Sequence, residues 1–249
     1  LGKKKETAGG SGYLFWALVA IELFMSFSFL GYIHIEPISL TFVYIPVLAA
    51  GCVLGAREAA CVGAVFGLAS MWKASAFYVT QADAMFSPVM SGKPLESVIL
   101  SVGTRVLFGF LVGFLYQAAE KGKHPLAGVI VVSSFGRTLH TSLVYGCMGL
   151  LFPESGFGIT NTLQDMRRWD FLPFILIVDV MISLCYLFCR SDFLQRLLYR
   201  VRLLKQASSA GVHNRRNTRI LAFLLVLVLP SSFSVALYFT NRIGRVMSE

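Results

Sequence analysis

Two arginines lie inside long apolar stretches of the sequence, where a charged side chain is costly. Arg105 lies in SVILSVGTRVLFGFLVGFLY, and Arg137 lies in LAGVIVVSSFGRTLHTSLVYG. A guanidinium at bilayer depth costs several kcal/mol unless an anion or a water-filled cavity receives it, so each arginine marks a candidate functional site. Glu22 and Asp179 fall at similar depth in two further apolar stretches. We therefore expect a polytopic membrane protein with a polar cavity inside its helix bundle.

The composition also favours a membrane protein. Hydrophobic residues make up 56% of the chain and charged residues only 14%, with a mean hydropathy of +0.69, whereas soluble domains carry about 25% charged residues. The basic residues that give the chain its net charge of +9 lie between apolar stretches and are not interleaved with aromatic residues, so we expect no nucleic-acid partner. The five cysteines lack metal-ligand spacing and lie within apolar segments, so they predict neither a metal site nor a disulfide framework.

The apolar stretches predict an all-α protein with seven transmembrane helices, because about 20 apolar residues cross the hydrocarbon core. These spans are Tyr13 to Ile33, Leu40 to Ala56, Ala59 to Ala74, Ser97 to Ala119, Leu126 to Phe152, Phe171 to Cys189 and Ile220 to Thr240. Only Arg57 and Glu58 separate the second span from the third, which predicts a tight helical hairpin. Three glycine pairs spaced four apart favour close helix packing within the bundle over a docking face for another membrane protein. The pairs are Gly51 and Gly55, Gly63 and Gly67, and Gly109 and Gly113.

The distribution of Lys and Arg between the spans predicts the orientation. They are more numerous in the connections that face the cytoplasm if the N-terminus is inside, so we expect a multi-pass protein of the inner cell membrane with a cytoplasmic N-terminus. The predicted organisation is a tail over 1–12, a six-helix membrane domain over 13–190, a basic amphipathic helix and linker over 191–218, and a seventh helix with an outer tail over 219–249. The chain lacks an initiating Met and stops at RIGRVMSE, which is compatible with a piece of a longer protein.

The segment SDFLQRLLYRVRLLKQ combines leucines and arginines at helical spacing. This pattern is typical of an amphipathic helix that lies on the anionic inner leaflet, and a partner-binding helix is the alternative.

The candidate site residues are drawn from the membrane helices. Arg137 and His140 are three residues apart and share a helix face, and with Arg105 they predict a pocket that receives a carboxylate or phosphate. In the alternative interpretation, Glu22 and Asp179 neutralise the two arginines inside the bundle, and both interpretations can hold together. Trp72 and other aromatic residues of the outer connections are either ligand contacts or ordinary interfacial anchors.

His140 alone is weak support for a metal site or a proton relay, since no second ligand lies at suitable spacing. A phosphate-binding loop, HExxH and GxSxG are all missing from the sequence. We therefore expect a protein that is not an enzyme and that needs no metal or cofactor.

Several segments resemble the substrate-binding S components of energy-coupling factor (ECF) vitamin transporters. The run ISLTFVYIPVLAAGCVLGAREAACVGAVFGLAS looks like the second and third helices of that family. FSPVMSGKPLESVILSVGTRVLFGFLVGFLY is similar to its fourth helix, with Arg105 at the family's arginine, and GRTLHTSLVYG resembles its fifth helix. The order and spacing of these segments agree over roughly Tyr13 to Arg190.

The resemblance implies a six-helix bundle that binds a vitamin-like molecule in a cavity open to the outer face. In that family the loops after the first and third helices cover the ligand, which implies roles for Tyr32 to Ser39, including Glu36, and for Lys73 to Glu96. The candidate substrate-binding residues are therefore Arg105, Arg137, His140, Asp179, Trp72 and Glu36. Transport by S components also requires a transmembrane coupling subunit and a pair of ATPases on other chains.

The sequence departs from the family in three respects. Ala17 and Ala20 are three apart, where the family has a docking motif with alanines four apart, and His140 replaces the family's asparagine. The basic helix and the seventh span are additional. These additions favour a second interpretation, in which the bundle is the ligand-sensing input domain of a signalling protein such as a kinase or a cyclic-dinucleotide enzyme.

The two interpretations of Arg105 predict different phenotypes for Arg105→Ala. If the arginine faces the cavity, the variant loses ligand binding with its folded yield intact. If the arginine neutralises a buried carboxylate, the variant loses folding, because an uncompensated charge is left in the bundle.

Overall fold

The computed structural model describes residues 8–28, 32–35, 38–76, 81–168 and 170–191. Within these ranges the chain is helical, apart from one short antiparallel hairpin. Glu36, the predicted amphipathic helix and the predicted seventh span lie outside the described residues.

Nine α-helices and two strands follow one another along the described residues. They are α1 (Ala8–Phe27), β1 (Tyr32–Ile35), β2 (Ile38–Thr41), α2 (Ile45–Val53), α3 (Ala56–Ala76), α4 (Gln81–Phe86), α5 (Pro94–Val98), α6 (Thr104–Glu120), α7 (Pro125–Leu151), α8 (Ile159–Met166) and α9 (Phe171–Arg190). A π-helical segment, Ile99–Gly103, joins α5 to α6, so that Pro94–Glu120 forms one continuous helix. A single 3₁₀ turn, Pro153–Ser155, follows α7.

The described residues contain three helices that are long and apolar enough to cross a membrane. These helices are Ala56–Ala76, Pro94–Glu120 and Phe171–Arg190, and a shorter apolar helical segment covers Gly12–Phe27. The helical membrane-protein class predicted from the sequence is thereby confirmed. The count of six or seven spans stays a prediction.

The start of the domain differs from the predicted spans in three places. The first helix begins at Ala8 rather than Tyr13 and ends at Phe27, and Tyr32 and Ile33, the last two residues of the predicted span, lie in the hairpin instead. In that hairpin Tyr32 pairs with Thr41, and Ile35 pairs with Ile38. The predicted second span therefore loses its first residues to β2.

α2 is much shorter than the span predicted for it. Pro46 lies in its first turn, where the missing N–H costs nothing, and Gly55 ends the segment with a φ of 114°, a conformation that favours glycine. Its nine residues extend only about 14 Å at 1.5 Å per residue, whereas the hydrocarbon core is about 30 Å thick. The break at Gly55 also places Arg57 and Glu58 inside α3 rather than between the two helices.

α3 and α6 approach each other at backbone contact. A Cβ atom at Gly67 would lie 2.6 Å from the carbonyl oxygen of Ser101. A Cβ at Gly109 would overlap the carbonyl oxygen of Ala59, and Gly63 and Gly113 face backbone atoms of the opposite helix in the same way. The glycines spaced four apart therefore bring helices of this bundle together, where lipid supplies no hydrophobic drive and close packing must replace it.

α9 has one face buried in the bundle and an opposite face that is exposed. One face is buried at four-residue spacing, by Phe174, Val178, Ile182 and Tyr186. The opposite face exposes large apolar side chains at the same spacing, namely Leu172, Leu176, Val180 and Leu184. An apolar side chain is stable on the outer face only where lipid replaces water, so this pattern agrees with a membrane-spanning helix.

We expect Gly67→Ala to destabilise the protein by about 1–3 kcal/mol, the usual cost of overpacking, because its Cβ meets rigid backbone of the neighbouring helix. The control is Gly146→Ala in α7, where an added Cβ meets nothing within 4 Å. The measurement is the thermal unfolding midpoint of both variants in the same detergent. Equal midpoints for the two variants would contradict the close approach of α3 and α6.

Candidate functional site

A cavity of about 340 Å³ lies beside the second half of α7, and that helix supplies half of its lining. The α7 residues recur at intervals of three and four, which places them on one helix face. They are Arg137, His140, Thr141, Val144, Tyr145 and Met148. The other walls come from Tyr44 before α2, Ala82 and Phe86 of α4, Asp165 of α8, and Phe157 and Arg168 of the neighbouring connections.

Arg137 is buried in the cavity wall, with a relative exposure of 9%. Its Nε donates to Asp165 Oδ2 at 3.2 Å and its Nη2 to Asp165 Oδ1 at 3.0 Å, which is a two-pronged ion pair between α7 and α8. The guanidinium carbon also lies 4.8 Å from the ring centre of Phe174 and 5.2 Å from that of Phe171. The remaining nitrogen, Nη1, is buried without a hydrogen-bond partner among the described residues.

Arg168 and Asp170 form a second ion pair beside the cavity. Arg168 Nε donates to Asp170 Oδ1 at 3.0 Å and Nη2 to Oδ2 at 3.3 Å. Burial raises the pKa of Asp170, but the hydrogen bonds from Arg168 and from the backbone, together with the charges of Arg168 and Arg137, hold that pKa below its ordinary value. Both arginines of the cavity wall therefore already have a carboxylate partner.

His140 lies among aromatic rings. It is stacked on Tyr44 at a centroid distance of 5.7 Å and on Phe66 at 5.7 Å, and it meets the Phe108 ring edge-on at 5.1 Å. Its Nε2 is buried and has no hydrogen-bond partner among the described residues. The imidazole of His140 is therefore packed between aromatic rings, of which Tyr44 lines the cavity and Phe66 and Phe108 lie outside its lining.

Arg105 lies outside the cavity lining and is 5% exposed. Its Nη1 donates to the carbonyl oxygens of Leu100 at 2.8 Å and Ser101 at 3.1 Å, both within the π-helical segment. A π turn changes the regular pairing of backbone carbonyls, and such turns are frequent at functional sites. In this protein the guanidinium binds the carbonyl groups of the preceding turn of its own helix.

Phe86 connects the cavity to this π-helical segment. Its side chain lines the cavity, and its ring centre lies 4.9 Å from the guanidinium carbon of Arg105. Its carbonyl oxygen accepts a hydrogen bond of 2.8 Å from Ser101 Oγ. Arg105 therefore contacts a wall residue of the cavity without lining the cavity itself.

The two buried carboxylates predicted to neutralise the arginines have other hydrogen-bond partners. Asp179 accepts a hydrogen bond of 2.7 Å from Ser134 Oγ, and Asp165 rather than Asp179 pairs with Arg137. Glu22 accepts a hydrogen bond of 3.2 Å from Ser26 Oγ, one turn along α1. The carboxylate that pairs with Arg137 is thus Asp165, from the connection between α7 and α9, and not one of the two carboxylates expected from the sequence.

The remaining predicted site residues lie apart from the cavity lining. Trp72 is 45% exposed and meets the ring of Phe27 edge-on at 5.2 Å. Of the six predicted substrate-binding residues, the structure brings Arg137 and His140 together, leaves Arg105, Asp179 and Trp72 outside the lining, and does not describe Glu36. Across the described residues, no group of three His, Cys, Asp or Glu side chains is arranged to hold a metal ion.

Asp165 and Tyr44 line the cavity but are not among the site residues predicted from the sequence. Asp165 lies in a short helix between the fifth and sixth predicted spans, and its partner Arg137 is 28 positions away in the sequence. Tyr44 precedes Pro46 in an apolar run. One feature of the sequence does draw attention to Asp165: it is the acidic residue of the amphipathic segment ITNTLQDM. Nothing in the sequence specifies its partner.

Comparisons of the chain with protein-family models and with curated proteins find no match.

We expect Arg105→Ala to lower stability rather than abolish small-molecule binding selectively. Removal of the guanidinium deletes the two charged hydrogen bonds to the carbonyl oxygens of Leu100 and Ser101, at a cost of about 1.5–3 kcal/mol for each bond, although Leu100 O keeps its hydrogen bond from Thr104 Oγ1. The measurement is the folded yield and thermal unfolding midpoint of the purified variant.

Arg57→Ala is the control, because it removes an exposed arginine from α3. A normal unfolding midpoint for Arg105→Ala would contradict the structural role of the guanidinium.

Proposed function

We propose that this membrane protein binds a small, vitamin-like molecule and serves as the substrate-specificity component of an energy-coupling factor transporter. The observation that carries the proposal is the cavity beside α7, to which one helix face brings Arg137 and His140 together inside an apolar bundle. Ligand pockets typically place a small number of polar groups in a concave wall, where they fix the orientation of the bound molecule.

The dimensions of the cavity support a small-molecule ligand. Its volume of about 340 Å³ falls at the lower end of the range of about 300–1,000 Å³ that is usual for ligand pockets. Its lining combines four aromatic side chains with the polar or charged groups of Arg137, His140, Thr141, Asp165 and Arg168, so it offers both ring contacts and hydrogen-bonding groups. We propose that the cavity opens toward the outer face and that the N-terminus is cytoplasmic, as the distribution of Lys and Arg predicts.

Transport in this proposal depends on other chains. The resemblance of three sequence segments to S components implies a transmembrane coupling subunit and a pair of ATPases as partners. In this role the protein binds and releases its substrate without chemical change.

A second candidate function is the input domain of a signalling protein. The observation that favours it is the sequence over 191–249, which adds a basic segment and a further apolar stretch to the six helices that the S-component resemblance requires. Coexpression with coupling subunits and ATPases from the same genome distinguishes the two functions. Copurification of a stoichiometric complex supports transport, and purification without these partners supports sensing.

Filling the cavity is expected to remove bound small molecules. In Thr141→Trp the indole occupies the space beside His140, so a ligand that copurifies with the unaltered protein is lost. The measurement is native mass spectrometry of the protein released from nanodiscs.

Ile130→Trp is the matched control, since it places the same side chain on an exposed position of the same helix. Retention of the small molecule by Thr141→Trp, or its loss from both variants, would contradict binding in this cavity.

A further inference from the structure

The short helix α8, Ile159–Met166, carries an exposed apolar side. Ile159, Leu163 and Met166 recur at intervals of four and three, which places them on one helix face. All three are exposed, and Ile159 and Leu163 are each 56% exposed. Contact between large apolar side chains and water is unfavourable, so this face requires an apolar partner.

The other two sides of α8 have different surroundings. Thr162 is buried against the bundle, and Asp165 lines the cavity. Thr160 and Gln164 are polar and exposed. Because successive residues are about 100° apart around a helix, the exposed arc of α8 is divided into an apolar half and a polar half. Such a division is typical of a helix that lies in the plane of a membrane–water interface, with lipid on one side and water on the other.

The length of α9 indicates the depth of α8 in the membrane. α9 is one of the helices that are long and apolar enough to cross a bilayer. Its 20 residues extend about 30 Å, which matches the thickness of the hydrocarbon core. Phe171, its first residue, therefore lies at one edge of that core. Only the four residues 167–170 separate Phe171 from the end of α8 at Met166, so α8 is held near the same edge.

The neighbours of α8 along the chain also fit lipid as its partner. The exposed apolar face of α9 begins at Leu172, six residues after Met166, so the apolar side of α8 is followed directly by a lipid-facing surface. Arg167 is the C-cap residue of α8 and is exposed. A cation at this position is complementary to the phosphate groups of lipid molecules.

We propose that α8 lies in the membrane interface, with Ile159, Leu163 and Met166 among the acyl chains of the lipids. Leu163 and Asp165 are two positions apart and therefore lie on nearly opposite sides of the helix. α8 thus stands between the cavity and the lipid, with Asp165 on its inner side. The lipid contact of α8 is independent of what the cavity binds.

The test places a tryptophan on each exposed half of α8, in the variants Leu163→Trp and Gln164→Trp. The two positions are adjacent and both are exposed, so each variant is the matched control of the other. The full chain is reconstituted as single copies in nanodiscs of ordinary or dibrominated phosphatidylcholine, because bromine on an acyl chain quenches only an indole that it contacts. The fluorescence that Leu163→Trp adds to that of the unaltered protein is expected to be quenched at least about threefold more than the fluorescence added by Gln164→Trp.

Iodide in the aqueous phase should give the reverse order, with stronger quenching of the indole at position 164. The thermal unfolding midpoints of both variants verify that they are folded. Equal quenching of the two indoles by brominated lipid overturns the interfacial position of α8, whether both are quenched or neither is. Stronger iodide quenching at position 163 also overturns it, because the apolar side then contacts water. An indole at position 163 that neither quencher reaches identifies a protein segment as the partner of this side and overturns the lipid contact.

Discussion

The need to give each buried guanidinium a local partner organises this bundle. An arginine inside an apolar helix bundle is stable only when carbonyl groups, carboxylates or aromatic faces replace its water. Arg105 obtains carbonyl oxygens from the π-helical segment of its own helix, and Arg137 obtains the carboxylate of Asp165. The hydrogen bonds of Arg105 accompany the π-helical segment of its own helix. The ion pair of Arg137 holds α8 against α7.

These two solutions have different consequences for function. Arg105 binds backbone carbonyl oxygens of its own helix, and it also donates to Ser70 Oγ of α3 at 3.4 Å and packs over the Phe66 ring of that helix. Arg137 reaches a side chain from another element, and that contact forms a wall of the cavity. Two arginines in similar apolar surroundings of the sequence therefore have different roles. Arg105 packs within the helix bundle, and Arg137 forms part of the wall of the candidate site.

The sequence predicted the positions of four long helices because long apolar stretches favour membrane helices. The third, fourth, fifth and sixth predicted spans each coincide with a described helix to within a few residues. The hairpin Tyr32–Thr41 and the short α2 were missed, since an apolar run such as ISLTFVYIPVLAAG has the same hydropathy in a strand as in a helix. The backbone geometry at Pro46 and Gly55 determines where the helix begins and ends.

The candidate site was predictable only in part, because the sequence does not show which charged residues pair with each other. The spacing of Arg137 and His140 indicates a shared helix face, and the structure lines the cavity with both. The partner of Arg137 depends on how the connection after α7 folds back, and residue spacing along one helix contains no such information. Whether any predicted residue contacts a ligand stays a prediction.

Phe86 gives the cavity a mechanical link to the α3–α6 interface. Its ring is one wall of the cavity and packs over Arg105, and its carbonyl oxygen is held by Ser101. The backbone of Ser101 is in turn the surface against which Gly67 of α3 is seated. The cavity wall and the close crossing of two membrane-spanning helices are therefore parts of one continuous set of contacts.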